Sequence, residues 1–349
     1  MSDSSFSDVF THMSKLSNSV EPIMLKFLLK DVHTDFKDLV QWQTKTGGKR
    51  LRPALTLLFS QAFGASDYNP EALAAAAGIE LIHTYSLILD DIIDRGDLRR
   101  GEPTVRAKYG DEFAILAAII HREAIYEAAR ATGRFFDSTI RIYSETIRRL
   151  TEGERLDILF ERKEDRHHEY FLNHRYSSVT QNDYRKMIVG KTAALLAAAC
   201  KLGAIIGGAS LDEQVCSEKF GWASGIAFQI ADDYLDIFAV SKEFGKEVYK
   251  DIIEQKLGNF VVVQALRLLD QEKADQLKKF LTDPSLSDEE RILKCMPLIE
   301  VSTAKEMAMK EAEKWAHKAK MVLSTISLKN EDLRAILEKL AEFAVRRAF

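Results

Sequence analysis

Two copies of one acidic pattern lie far apart in the chain, each inside apolar sequence that is typical of a helix. Residues 90–94 read DDIID and residues 232–236 read DDYLD. In a helix, the first and last aspartate of each copy share a face, because residues four apart lie one turn from each other. Carboxylates near apolar side chains repel one another unless a cation lies between them. We therefore expect both copies to bind divalent cations. Mg²⁺ is the first candidate, since it takes one or two carboxylates and fills its remaining positions with water and phosphate oxygens.

A single copy of this pattern would also fit a solvated, negatively charged helix face. Here the sequence SLIL precedes the first copy and FQIA precedes the second. Solvated acidic runs usually have polar flanks. The aliphatic flanks of both copies therefore favour a functional site over a solvated surface.

The composition is that of a globular protein rather than of a nucleic-acid binder. Of the 349 residues, 46% are hydrophobic and 29% are charged, and the formal net charge is −4. We therefore expect a sizeable core and no general nucleic-acid partner, which would need a basic surface. Cys200, Cys216 and Cys295 show neither metal-binding spacing nor an even disulfide framework. This pattern is typical of a reducing, intracellular protein.

The N-terminus and the hydropathy of the chain predict a cytoplasmic location. The sequence MSDSSFSDVF has no basic start and no apolar run, so no signal peptide is expected. No apolar stretch approaches 18 residues, so no transmembrane segment is expected either.

Apolar residues recur at a spacing of three to four along most of the chain, which predicts an all-α protein. No shift in composition marks a linker, so we expect a single domain over residues 1–349, built from about ten or more helices. Residues 162–178 are polar and irregular and predict a surface insertion, in which three histidines fit a solvated loop better than a metal site. The predicted helices cover residues 71–95, 113–131, 136–160, 181–208, 217–240, 301–322 and 330–347.

Basic residues elsewhere could bind the anion that a cation cluster attracts. Gly47 and Gly48 open a basic turn before a helix, where backbone N–H groups can approach a phosphate closely. The arginine pair that follows the first acidic copy can grip phosphate oxygens through two hydrogen bonds at once, although it would also balance the acidic charge. Ordinary surface turns are the alternative for the other segments. The candidates are Lys49, Arg52, Arg99, Arg100, Lys191 with Thr192, Lys246 and Lys256.

The trans-isoprenyl diphosphate synthases are the family that this chain resembles, on the ordered motifs GGKRLRP, DDIIDRGDLRRGEPTV, GKTAAL and FQIADDYLD and the later lysines. The resemblance covers residues 40–345. It implies an isoprenoid-synthase-type helical bundle around a deep central cavity, which joins isopentenyl diphosphate to an allylic diphosphate (dimethylallyl, geranyl or farnesyl) and releases pyrophosphate. It also implies a homodimer and a cluster of two or three Mg²⁺ ions.

The resemblance assigns roles to residues in three groups. Asp90, Asp94 and Asp232 would bind the metal ions, supported by Asp91, Asp233 and Asp236. Isopentenyl diphosphate would be held by Lys49, Arg52, His83 and Arg100. Phe228 would offer a ring face to the allylic cation, or would be a plain core residue. The allylic diphosphate would be held by Arg99, Lys191, Thr192, Gln229, Lys246 and Lys256.

The product length is predicted from the helix that carries the first acidic copy. In the family, a bulky residue on this helix stops the growing chain. Tyr85 lies five residues before Asp90, about 7.5 Å along a helix axis, and its neighbour Ser86 is small. A single aromatic residue here resembles archaeal-type geranylgeranyl diphosphate synthases, so we expect a C20 product, with farnesyl diphosphate as the alternative.

The match has departures that keep other classes of protein open. Leu89 stands where many members have His, Ala118 and Ile119 replace a common Gly-Asp pair, and Gln255 replaces a Gly. A non-catalytic regulatory subunit and a class I terpene cyclase are the alternatives. Intact acidic and basic motifs argue against the first, and a second diphosphate site argues against the other.

Overall fold

The structure is a computed structural model, which describes residues 4–48, 50–162, 168–239 and 249–346. Within these ranges the chain is all-α apart from one hairpin of two short strands, β1 (Leu98–Arg99) and β2 (Glu102–Pro103). The all-α prediction is thus confirmed. The helices are α1 (Ser4–Leu28), α2 (Lys37–Lys45), α3 (Leu51–Ala62), α4 (Pro70–Ile93), α5 (Val105–Tyr109), α6 (Asp111–Ala131), α7 (Phe136–Phe160), α8 (Glu169–His174), α9 (Gln181–Ile188), α10 (Ala194–Gly207), α11 (Leu211–Phe238), α12 (Lys250–Ile253), α13 (Phe260–Leu268), α14 (Gln271–Thr282), α15 (Asp288–Val301), α16 (Ala304–Ser324) and α17 (Asp332–Arg346).

The helices that were predicted agree with the structure to within a few residues at most ends, and the largest difference is at the start of α11. This helix begins at Leu211, not at residue 217, because Ser210 caps it. The Ser210 backbone N–H and hydroxyl both donate to Glu213 Oε2, and the Glu213 N–H donates back to the hydroxyl. This reciprocal capping box satisfies N–H groups that a helix start leaves open.

Packing of the chain defines two compact units, each assembled from three segments. The first unit comprises Met1–Arg148, Ala194–Trp222 and Ala319–Leu340, and it contains the first acidic copy. The second unit comprises Arg149–Ala193, Ala223–Lys318 and Ala341–Phe349, and it contains the second copy. The single domain with a deep central cavity stays a prediction.

Helix α4 is the central element of the first unit and packs on α3 and α6. Pro70 occupies its first turn, and Asn69 Oδ1 accepts the Ala72 N–H at 2.8 Å as a cap. Gly78 leaves room for Tyr143, which is fully buried and whose hydroxyl donates to the Ala75 carbonyl at 2.7 Å. A Cβ at Gly78 would overlap this ring, so the glycine fixes where α4 lies.

In the second unit, α7 crosses a turn of π-helix at Val189–Ala193. A Cβ at Gly190 would lie 2.7 Å from the Arg149 carbonyl and 2.8 Å from the Cα of Gly153, so only glycine fits this crossing. Single π-helical turns are frequent at functional sites. This one carries Lys191 and Thr192, and the close crossing brings Lys191 against α7.

Two helical stretches are long and apolar enough to cross a membrane by length and composition, contrary to the expectation from the sequence. They are Pro70–Ile93 and Gln181–Gly207, and 72% and 78% of their most apolar windows are buried inside the protein. Buried core helices commonly reach the same hydropathy, so these two stretches are weak evidence for a membrane span.

The predicted insertion is described from residue 168 onward, and His167 lies outside the described residues. The segment is not entirely irregular, because it contains α8. Phe171 is buried, whereas Tyr170 is exposed and stacks on His174 with a ring separation of 4.2 Å. No group of three His, Cys, Asp or Glu residues able to hold a metal ion occurs within the described ranges.

Candidate active site

The first acidic copy lies at the C-terminal end of α4, where the helix stops. Asp94 is the C-cap, and its N–H still donates to the Asp90 carbonyl at 2.8 Å, so the two residues are one helical turn apart. Both side chains are half-buried. Asp91 differs, because its side chain is buried. The three carboxylates of the first copy therefore lie in two environments, one half-buried and one buried.

Asp91 is held by Arg99, which projects from β1. Arg99 Nε lies 3.0 and 3.1 Å from the two carboxylate oxygens, and Nη2 lies 2.7 Å from Oδ1. Burial lowers the pKa of Arg99, but the hydrogen bond and charge of Asp91, together with Asp90 and Asp94, outweigh it and raise the pKa. The fork fixes the hairpin against the end of α4 and keeps Arg99 beside the acidic copy.

Arg50 anchors the basic turn, a role that the sequence analysis did not assign. Its φ of 45° places it in the left-handed region at the start of α3. Its Nη1 donates to Glu80 Oε1 at 2.7 Å, and its Nη2 donates to the Thr44 carbonyl. Glu80 is buried, and a buried carboxylate needs such a partner. Lys49, one residue earlier, lies outside the described residues.

Arg52 and His83 meet between α3 and α4. Arg52 Nη1 lies 3.2 Å from His83 Nε2. Burial and the charges of Arg52, Arg100, Arg99 and Arg50 hold the pKa of His83 well below its usual range. The imidazole is therefore neutral at pH 7, and its Nε2 accepts from Arg52.

Arg100 lies over the glycine turn. Its Nη1 donates to the Gly47 carbonyl, and a Cβ at Gly48 would come within 2.6 Å of this guanidinium. Burial and the nearby charges of Arg50 and Arg99 lower the pKa of Arg100, partly opposed by Glu80. This crowding of positive charge favours an anion at the same place.

Tyr85 is half-buried on α4 and packs against a core cluster of the first unit that includes Ile88, Ala114 and Ala118. Ser86 donates from its hydroxyl to the His83 carbonyl at 2.9 Å, within the same helix. Leu89, one of the departures from the family pattern, packs on the same cluster as Tyr85.

The second acidic copy repeats the division seen in the first. Asp232 is half-buried, whereas Asp233 is buried. Asp233 accepts from the Tyr184 hydroxyl at 2.7 Å, from Gln229 Nε2 at 2.8 Å and from the Phe260 N–H at 2.8 Å. Burial and the charge of Asp251 nevertheless raise the pKa of Asp233 to about 8. Asp233 thus joins α9, α11 and α13.

Asp236 ends the second copy and lies beside Asp251. It accepts the Asp251 N–H at 3.0 Å, and burial together with the Asp251 charge raises the pKa of Asp236 to about 8. Asn259 Nδ2 donates to Asp251 Oδ2 at 2.8 Å and to the Asp233 carbonyl at 3.1 Å. Asp251 and Asn259 were missed by the sequence analysis. The sequence feature that could have identified Asp251 is its position directly after a lysine-rich segment.

Lys191 and Lys256 share a cluster of carboxylates that was also missed. Lys191 Nζ lies 2.6 Å from Asp157 Oδ2 and 2.8 Å from Glu154 Oε2. Lys256 Nζ lies 3.1 Å from Glu254, 3.5 Å from Asp157 and 3.6 Å from Glu161. The signal was a helical spacing of three and four residues, which places Glu154 and Asp157 of α7 on one face with Glu161, the residue that follows the helix.

Thr192 and Gln229 connect the π-helical turn to the acidic copy. The Thr192 hydroxyl donates to Gln229 Oε1 at 2.5 Å, and Gln229 in turn donates to Asp233. Phe228 is half-buried one residue earlier on α11. Lys246 lies outside the described residues.

The carboxylate ligands of both acidic copies fit Mg²⁺. The three residues predicted to bind metal, Asp90, Asp94 and Asp232, are half-buried, as is Asp236, whereas the buried Asp91 and Asp233 are held by protein groups. Mg²⁺ needs few carboxylates and completes its shell with water and phosphate oxygens, so it suits partly exposed aspartates beside cationic side chains.

An all-α protein with two acidic copies and adjoining Arg and Lys clusters fits the class of prenyltransferases. The polyprenyl synthetase family model matches residues 33–299. The chain belongs to this family and is a trans-prenyltransferase with the all-α isoprenoid synthase fold.

Similar proteins include archaeal enzymes. The chain is 37% identical to a short chain isoprenyl diphosphate synthase of Methanothermobacter thermautotrophicus, covering 86% of this chain and 87% of that protein. It is 34% identical to the geranylgeranyl diphosphate synthase of Sulfolobus acidocaldarius, covering 96% and 98%. The solved geranylgeranyl pyrophosphate synthetase of Pyrococcus horikoshii aligns with a TM-score of 0.85 at 29% identity, covering 98% and 99%.

Proposed function

We propose that this protein condenses isopentenyl diphosphate with allylic diphosphates to give geranylgeranyl diphosphate, with farnesyl diphosphate as the runner-up product. The observation that carries the proposal is the repeated division of each acidic copy into half-buried outer aspartates and a buried, protein-held middle aspartate. A non-catalytic regulatory subunit would not need two acidic copies arranged in this way.

Ionisation of the allylic C–O bond is the demanding step, and charge develops on the departing diphosphate. Asp90, Asp94 and Asp232 would hold Mg²⁺, which would supply Lewis-acid stabilisation of this charge. Lys191 and Lys256 are positioned in advance by the α7 carboxylates, and Thr192 and Gln229 are hydrogen-bonded to each other. Preorganised donors stabilise developing charge without reorganising during the reaction.

Isopentenyl diphosphate is proposed to bind beside the glycine turn of the first unit. Arg52 and Arg100 supply charge, and neutral His83 adds no further repulsion between them. Arg99 is hydrogen-bonded to Asp91 near the end of α4. Such placement holds the substrate in one orientation, which lowers the entropic cost of condensation.

The homodimer is proposed to form through α6. This helix buries Ala114, Ala117 and Ala118 against its own unit, whereas Leu116 and Ile119 are 47% and 52% exposed. Contiguous exposed apolar side chains mark protein interfaces. Light scattering should give twice the chain mass, and a double Leu116→Glu, Ile119→Glu variant should give a monomer.

One assay tests the activity. The purified chain is incubated with Mg²⁺, labelled isopentenyl diphosphate and each allylic diphosphate in turn, and the products are sized. A C20 product is expected from all three primers. A cyclised hydrocarbon, or no prenyl product from any primer, would overturn the proposal.

A further inference from the structure

A small cavity of about 140 Å³ lies wholly within the second unit, among α9, α11, α13 and α16. Its floor is apolar and buried, formed by Ile188, Ile226, Ile230 and the ring of Phe260, with the ring of Tyr184 beside them. None of these residues belongs to the proposed substrate-binding set. Its volume is close to the roughly 150 Å³ that accommodates a benzene ring in an apolar cavity, so the space above this floor suits a group of five or six carbons.

The mouth of the cavity is polar and carries more positive than negative charge. Arg185 and Lys314 are exposed there, and Glu311 is the one carboxylate lining it. Lys314 lies 3.0 Å from Glu311, which also accepts from Trp315 Nε1 at 2.9 Å. Among the described residues, no carboxylate pairs with Arg185. The positive charges at this rim therefore suit an anionic head group that lies above the apolar floor.

We propose that this cavity binds a small amphipathic anion, with a phosphate or carboxylate head at Arg185 and Lys314 and an apolar group of five to six carbons on Ile226, Ile230 and Phe260. The indole of Trp315 flanks the entrance and packs against the bound ligand. This ligand site uses none of the residues proposed to bind Mg²⁺ or the two diphosphates.

The cavity is coupled to the second acidic copy through two of its lining residues. The Tyr184 hydroxyl and the Phe260 N–H are both donors to Asp233. Ile226, Ile230 and Asp233 lie three to four residues apart and share one face of α11. A ligand on this face restrains the groups that hold Asp233, and this coupling, unlike the site itself, rests on the proposed function.

Fluorine NMR tests the site without any turnover. The chain contains three tryptophans, of which Trp315 alone lines the cavity. The full-length protein is labelled with 5-fluorotryptophan, its three resonances are assigned by single Trp→Phe variants, and phenyl phosphate is titrated in. The Trp315 resonance should shift in a saturable manner, while those of Trp42 and Trp222 stay in place.

Charge reversals at the rim complete the test. Arg185→Glu and Lys314→Glu should each weaken the titration at least fivefold, whereas Lys186→Glu and Lys310→Glu, exposed and of equal charge change on the same helices, should leave it unchanged. Equal weakening by all four variants, or a Trp315 resonance that never shifts, would overturn the site. The coupling is then tested separately: phenyl phosphate should change the Mg²⁺ concentration for half-maximal synthase activity at least twofold, and an unchanged value with ligand bound refutes it.

Discussion

Asp157 Oδ2 lies 2.6 Å from the Nζ of Lys191 and thereby aligns a residue of the π-helical turn with α7. The same oxygen is 3.5 Å from Lys256 Nζ, so one carboxylate positions two lysines that are far apart in the chain. Burial raises the pKa of Asp157, but the charges of Lys191 and Lys256 lower it further than burial raises it. Asp157 is therefore ionised at neutral pH and fixes the donors proposed for the allylic diphosphate.

Replacing Asp157 with Asn should weaken substrate binding more than it changes the fold. Both lysines keep other carboxylate partners, so we expect the free energy of unfolding to fall by no more than the worth of one hydrogen bond to a charged group, about 1.5–3 kcal/mol. The KM for the allylic diphosphate should rise about tenfold, because the lysines lose their shared alignment. Glu152→Gln, on the exposed side of α7, is the matched control. A KM equal to that of the control would contradict the role.

Arg99→Lys tests the fork that holds Asp91. An ammonium group cannot reproduce two parallel hydrogen bonds, so the variant should lose about 1.5–3 kcal/mol in urea unfolding, the typical worth of hydrogen bonds to a charged group. Arg106→Lys is the control, because its partners Asp97 and Asp111 have side chains 79% and 51% exposed. It should lose less than about 1 kcal/mol. Equal losses would show that the Asp91 fork is no more than a surface ion pair.

His83 should make the protein less stable as the pH falls. Burial and the surrounding arginines depress its pKa in the folded state, so below about pH 6.5, the ordinary histidine value, the unfolded chain binds a proton that the folded chain does not. The free energy of unfolding then falls by up to about 1.4 kcal/mol per pH unit.

His83→Gln should flatten this slope between pH 6.5 and 5 in urea titrations. Buried His121, with its pKa lowered by burial to about 4, contributes a slope of the same sign and will remain in the variant. The control is His317→Gln on the exposed surface, which should keep the wild-type slope. If the two variants behave alike, His83 is not the group responsible.

The sequence predicted the elements of the fold better than the partners within the site. Helical periodicity identified α4, α6 and α7 to within two residues of their ends, because these helices bury a regular apolar face. Periodicity placed the first and last aspartate of each acidic copy on one helix face, but it did not predict which aspartates are buried. Asp91 and Asp233 are distinguished only by contacts with residues distant in the chain, such as Arg99 on a hairpin and Tyr184 on another helix, and a local pattern carries no information on those.

Tyr85→Ala should lengthen the product if the Tyr85 side chain is the group that stops the growing chain. The side chain is half-buried on α4 and packs with Ile88 and Ala118, so its removal opens space beside the helix that carries the first acidic copy. We expect C25 and longer products in place of C20, sized by thin-layer chromatography after dephosphorylation. Ser86→Phe should act in the opposite direction and shift the product toward C15, since it adds bulk at the neighbouring position.

The matched control for Tyr85 is Tyr109→Ala. Tyr109 packs on the same cluster from α5, so its truncation costs similar packing while leaving α4 unchanged. The control should lower thermal stability and keep the wild-type product. If both tyrosine variants give the same distribution of lengths, the change comes from loosening of the cluster, and Tyr85 has no specific role. If Tyr85→Ala still gives the C20 product, another side chain stops the growing chain.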